Sequence, residues 1–165
     1  MDQSRLSPQL RAVHVLRDND RFGELFALAF DADPVVRVQA LAEIDEVTRA
    51  RPDLVVPRRG ELLDALERID EGDAQRFVAM ILSRIKLAPK ERAKAAPVFE
   101  RWLESPSAAA VMAALAVLVD FAAEDGRFRR GFVPRVERRM REWTPALRTR
   151  AQRVLARLTP KAPVR

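Results

Sequence analysis

The sequence predicts an all-α chain built from stacked helix pairs, and three observations predict it. Ala, Leu, Arg and Glu are abundant, whereas there are five Gly, no Tyr and few β-branched runs, a composition that favours helices over strands. Helix-start signals, a capping residue followed by proline, recur along the chain, and the stretches behind them carry apolar residues three or four apart. The 165 residues, 48% apolar and 33% charged, suit a globular domain with its own core. The predicted organisation is a single domain over 1–165: an N-terminal capping helix in 1–18, repeats over 21–51, 53–86, 89–123 and 127–158, and a frayed tail at 159–165.

The clearest unit runs from Asp33 to Val47. Asp33 can accept from the free N–H groups of a helix start, and Pro34 suits the first helical position. Val36, Ala40, Ile44 and Val47 then form one stripe, while Gln39, Glu43 and Glu46 face away. Upstream, Ser7-Pro8 opens a short helix carrying Leu10, Val13 and Leu16. Asn19-Asp20 closes it and caps a helix over Arg21 to Phe30 with Phe22, Leu25, Phe26, Ala29 and Phe30 on its apolar face. Downstream, Arg51-Pro52-Asp53 breaks the chain and caps a helix running to Ile69, with Pro57 tolerated in its first turn and Leu62, Leu63, Leu66 and Ile69 inward. Gly72-Asp73 starts the next, over Ala74 to Lys86, with Ala74, Phe77, Val78, Ile81 and Ile85 as its stripe.

The second half repeats the plan. Pro89 starts a helix through Val98, Phe99, Trp102 and Leu103, and Ser105-Pro106 starts the following one. Asp125-Gly126 marks a boundary before a helix over Arg127 to Trp143 that buries Phe128, Phe132, Val136, Met140 and Trp143. Thr144-Pro145 starts the last, with Leu147, Ala151, Val154 and Leu158. Nine helices in antiparallel pairs result, with Val36, Ala40, Ile44, Leu66, Ile81, Leu115, Val136, Leu147 and Leu155 expected in the core.

The starts at Pro34, Gly72-Asp73, Pro106 and Pro145 define a repeat in which Arg37 and Ala40 correspond to Arg148 and Ala151. In the second unit lettering selects Arg76 and Ala79, whereas the apolar pattern selects Val78 and Leu82, and packing favours the latter. The third unit has Ala109 and Met112 at these places.

With Asp33, Val36, Arg37 and Ala40 in this arrangement, the chain resembles the HEAT-repeat family over about Arg21 to Leu158. Pro57, Pro97 and Pro134 are candidates for the proline frequent in that family's first helices. The resemblance implies a curved, right-handed α-solenoid of about four helix pairs behind an N-terminal helix, with second helices lining the concave side. It implies no single activity. Tetratricopeptide repeats are the structural alternative, but their Trp, Gly and Tyr signature is absent.

No catalytic constellation emerges. His14 is the only histidine and there is no cysteine, so a zinc site would need carboxylates alone. Gly-rich phosphate loops and the common hydrolase and metalloprotease motifs are missing. Glu43 and Glu46 read as solubilising charges, and Trp102 and Trp143 as core residues. No cofactor or metal is expected. The first residues lack a secretory signal, and the lack of cysteine fits a reducing compartment, so a cytoplasmic location is expected.

Two features stand out. Ser105 to Val119 carries no charge and is too short for a membrane span, so it is either wedged inside the stack or presents an apolar patch. In the second case the outward positions of units two and three are Phe77, Met80, Val111, Ala114 and Leu118. The other feature is charge. Arg127 to Arg165 holds 13 Lys and Arg against Glu137 and Glu142, while the remainder has 17 basic and 22 acidic residues. On the helix expected over Arg127 to Trp143, the face opposite Phe128 and Val136 carries Arg127, Arg130, Arg135, Arg138 and Arg141, and on the last helix Arg150, Arg153 and Arg157 align.

The expected function is a non-catalytic protein-interaction scaffold, through Arg150, Arg153, Arg157, Arg135, Arg138, Phe77, Met80, Val111 and Leu118. Its partner would be a protein, with an acidic segment suited to the basic end; a homo-oligomer is left open. Nucleic-acid or ribonucleoprotein binding is the alternative, since arginine forks suit phosphates. A DNA-glycosylase-like enzyme, a kind known among HEAT-like proteins, ranks last because no Asp sits in the basic third.

Overall fold

The computed structural model of the chain describes residues 19–159. Among these there are eight α-helices and no strand: α1 (Asn19–Leu28), α2 (Pro34–Ala50), α3 (Arg59–Ala65), α4 (Gly72–Leu82), α5 (Pro89–Trp102), α6 (Ala108–Glu124), α7 (Gly126–Met140) and α8 (Pro145–Leu155). The expected first helix, with Leu10, Val13 and Leu16, lies outside the described residues, as does the end of the tail.

The even-numbered helices form one row, α2 against α4, α4 against α6, and α6 against α8. The odd-numbered helices lie along its flank, with α1 on α2 and both α5 and α7 on α6. Ion pairs link this flank from one helix to the next. Arg59 meets Glu91 at 2.8 Å, Lys94 meets Asp64, Arg135 meets Glu100 at 2.7 Å and Arg139 meets Glu104 at 2.7 Å.

Caps set most of the helix starts. Asp33 accepts from the N–H of Val35 at 2.8 Å, and Thr144 accepts from Leu147 at 3.3 Å, so the starts at Pro34 and Pro145 are as expected. The carboxylate of Asp125 accepts from Phe128 at 3.0 Å and Arg127 at 2.8 Å. Two starts differ. Ser107, not Ser105, caps the third even helix, accepting from Ala110 at 3.3 Å, and Pro106 stays in the connection. Asp73 is no cap, because α4 begins at Gly72 after an extended Glu71 whose carboxylate is drawn to Arg37 instead. The helix expected over 53–69 is also broken. Pro52 starts one 3₁₀ turn and Pro57 is the second residue of another, Val56–Arg58; α3 is seven residues long, and Asp53 pairs with Arg51 rather than capping. A ring without an N–H twice interrupts the α ladder there.

The even helices therefore start at 34, 72, 108 and 145, a period of about 37 residues. In that register Ala40 corresponds to Val78, Ala114 and Ala151, all of them buried. The apolar pattern was the right guide in unit two. In unit three the small residue is Ala114, not Met112. The repeated arginine also acquires a physical role. Arg37, fourth in α2, donates to the carbonyls of Asp31 at 2.8 Å and Ala32 at 2.9 Å. Arg148, fourth in α8, donates to Met140 at 3.0 Å and to Arg141 and Trp143 at 3.1 Å. Arg92, fourth in α5, donates to Leu87 at 3.1 Å, and Gln75, fourth in α4, to Ile69 at 3.3 Å. Each side chain donates to carbonyls at or just past the end of the preceding segment, where the regular helical ladder stops.

Of the expected core, Ala40, Ile44, Leu66, Ile81, Leu115 and Val136 are buried, whereas Val36, Leu147 and Leu155 are half-buried. Val36 and Leu147 sit in first turns at the edge of the row, and Leu155 borders a cleft between α7 and α8. Phe30 is 37% exposed because α1 ends at Leu28 and leaves it in the turn. α7 ends at Met140, so Trp143 falls in the following turn, half-buried.

Replacing Ala40 or Ala151 by Leu should overpack the row and destabilise by about 1–3 kcal/mol, read from denaturant melts. Gly72→Ala should do the same, since a Cβ there would lie 2.6 Å from that of Ser107. Asp125 offers a pH test. The N–H of Phe128 first, then that of Arg127 and the nearby Arg92 and Arg127 charges, hold its carboxyl below the usual aspartate range. A group depressed in the folded state stabilises fully above its unfolded pKa and loses this as pH falls through the folded value. Asp125→Ala should therefore lower the melting temperature at neutral pH, with a difference that shrinks in acid.

Candidate partner-binding face

The uncharged stretch is resolved in favour of burial. α6 packs against α4, α5, α7 and α8, and Val111, Ala114 and Leu118 are buried. Val111 and Leu118 are therefore not on the surface, which corrects their place among the expected binding residues. The cause is local. Starting the helix at Pro106 rather than Ala108 shifts the register by two residues, about 200° of helical rotation, and turns the inward face outward.

With the starts as observed, one face of the row comes into register. Counted from each start, the sixth and ninth positions are Gln39 and Ala42 in α2, Phe77 and Met80 in α4, Ala113 and Ala116 in α6, and Arg150 and Arg153 in α8. None is buried. The face thus passes from polar and small, through aromatic and thioether, to alanine, and ends on two arginines. Met112, half-buried on α6, adds to the apolar middle. The guanidinium of Arg76 lies 4.0 Å from the centre of the Phe77 ring, a cation–π contact that covers the ring from one side.

The arginines expected to bind divide into two groups. Arg157 follows α8 in a 3₁₀ turn and pairs with Asp120 of α6, so it ties the last two even helices together. Arg135 is likewise committed to Glu100. Arg150, Arg153 and Arg138 are exposed and form no ion pair among the described residues. A guanidinium held by a carboxylate has less to offer a partner, so the free three carry the recognition potential.

Catalytic geometry does not emerge from these side chains. His14 lies outside the described residues, and among those described no three His, Cys, Asp or Glu side chains converge to hold a metal. Glu46 pairs with Arg49 at 3.3 Å. Trp102 is buried edge-on against Phe99, ring centres 5.1 Å apart, where a base could not stack on it. Asp45, the one deeply buried charge among the described residues, is neutralised by Arg84 at 2.7 Å and Arg49 at 3.0 Å, with Thr48 donating to its carbonyl at 3.1 Å. It joins α2 to the end of α4.

Comparison of the chain with family models, with curated proteins and with solved structures gives no match. No helix among the described residues is long and apolar enough to cross a membrane.

Arg150→Glu with Arg153→Glu should leave folding nearly intact, at less than about 0.5 kcal/mol each. Adding Arg157→Glu, which places a carboxylate against Asp120, should lower the melting temperature clearly below that of the double variant.

Proposed function

We propose that the chain is a short right-handed α-solenoid of the HEAT type and acts as a non-catalytic protein-interaction scaffold. The row of even helices, the Arg at the fourth position of α2 and α8 with Gln75 in its place in α4, and the buried Ala or Val at the seventh support the repeat reading. The observation that carries the function is the face just described, where Phe77, Met80, Ala113 and Ala116 share one partly exposed register with Arg150 and Arg153, which form no ion pair among the described residues, and Met112 precedes Ala113 on α6. Apolar positions at a surface, bordered by charge of one sign, suit a protein partner with a complementary acidic border. The lack of cysteine suits work in a reducing compartment such as the cytoplasm.

Nucleic-acid or ribonucleoprotein binding is the second reading, favoured by one observation. Arg127, Arg130, Arg138, Arg141, Arg150 and Arg153 are all exposed without an ion pair among the described residues. Affinity capture from the native cell, with and without nuclease, separates the two. The scaffold reading expects a protein retained after nuclease treatment and lost with Phe77→Ser/Met80→Ser. Release by nuclease favours the second reading. Affinity for duplex DNA should then fall with salt at a log–log slope of about −0.9 per neutralised phosphate, and Arg150→Glu/Arg153→Glu should flatten it.

A further inference from the structure

We propose that the cleft between α7 and α8 is a docking site for an acidic amphipathic helix of a partner protein. This rests on the reading of the chain as a scaffold but uses a surface separate from the face around Phe77. The cleft encloses about 790 Å³, within the range of built binding sites. Half-buried Val133 and Leu155, with Met140 and Leu158 buried beneath, give it apolar walls, and Arg129, Arg130, Arg141 and Arg148 stand on its lining with Glu137 as the only acid among its described residues.

Helical register says what shape belongs there. The eighth and eleventh positions are Leu41 and Ile44 in α2, Ala79 and Leu82 in α4, and Leu115 and Leu118 in α6. All six are buried, on helices that each have a following neighbour in the row. In α8 the same positions are Gln152, exposed, and Leu155, half-buried, and both line the cleft. The two positions that are buried on three even helices are thus left open on the fourth. From Arg148 to Thr159 the lining extends about 16 Å at 1.5 Å per residue, room for roughly three turns.

Charge says what kind of helix. Arg129 and Arg148 spend donors on the carbonyls of Leu158, Met140, Arg141 and Trp143, which leaves their positive charge uncompensated. Arg130 and Arg141 are exposed and form no ion pair among the described residues. A helix with leucines on one face and glutamates on its flanks would meet both features. A second copy offering the same cleft would set arginine against arginine.

The test uses the full chain and a fluorescein-labelled peptide of about 18 residues, with leucines three and four apart on one face and Glu on both flanks, followed by anisotropy. Wild type should bind it. Leu155→Glu, and separately Arg130→Glu/Arg141→Glu, should each weaken binding at least about tenfold, because a carboxylate would be left desolvated or opposed. Phe77→Ser/Met80→Ser should bind as wild type does, and a peptide with Lys for Glu should not bind. Melting curves matching wild type show that the variants fold. No binding, equal binding by both cleft variants, equal binding of the Lys peptide, or displacement of the peptide by duplex DNA would each overturn the proposal. Loss of peptide binding only in Phe77→Ser/Met80→Ser would overturn the cleft while leaving the scaffold reading standing.

Discussion

The burial of one recurring position on every even helix is the constraint on which the structure depends. Ala40, Val78, Ala114 and Ala151 occupy the seventh place from each start and none is more than 3% exposed. Alanine at three of these places and valine at the fourth leave room for a neighbouring helix, while the larger residues next to them on the same helices, Leu41, Ile44, Leu82, Leu115 and Leu118, are buried as well. Interiors packed at crystal-like density tolerate little change in volume, so this position fixes the separation and rotation of every helix in the row. The faces left outside, including the one around Phe77, follow from that rotation.

A second device ties the starts of α2, α4, α5 and α8 to the segments before them. The fourth residue, Arg37, Arg92 or Arg148, returns its guanidinium to the carbonyls that end the preceding segment, and Gln75 does so with an amide. One side chain thereby joins the end of one segment to the start of the next, and a planar fork with five donors suits several carbonyls at once. The α6 start lacks this device, with Val111 in that place. There the connection is held by close contact, the Gly72 backbone lying against Ser107.

The helical class, most starts and most of the core were legible because caps, prolines and apolar spacing are local signals. Asp33-Pro34 and Thr144-Pro145 speak for themselves. What failed did so where two local signals competed. Ser105-Pro106 and Ser107 both offer a start, and only the fit of Ala114 between neighbouring helices decides for Ser107; the wrong choice misplaced Val111 and Leu118. Glu71 could not be read because its partner Arg37 is 34 positions away in the chain. Likewise, Arg150, Arg153 and Arg157 are indistinguishable as a sequence stripe, and only the position of Asp120 separates the third from the others.

The seams between the even helices differ in kind. α2 and α4 are joined by Asp45–Arg84 and Arg37–Glu71, and α6 and the turn after α8 by Asp120–Arg157. Between α4 and α6, the broadest contact in the row, no ion pair crosses among the described residues. Added salt screens partly exposed charges, and sulfate or phosphate strengthens apolar burial. Such a salt should loosen the exposed Asp120–Arg157 seam while tightening the central one and leaving the buried Asp45–Arg84 pair largely unscreened, so that ionic conditions alone redistribute cooperativity along the molecule, with compliance gathered at its α8 end.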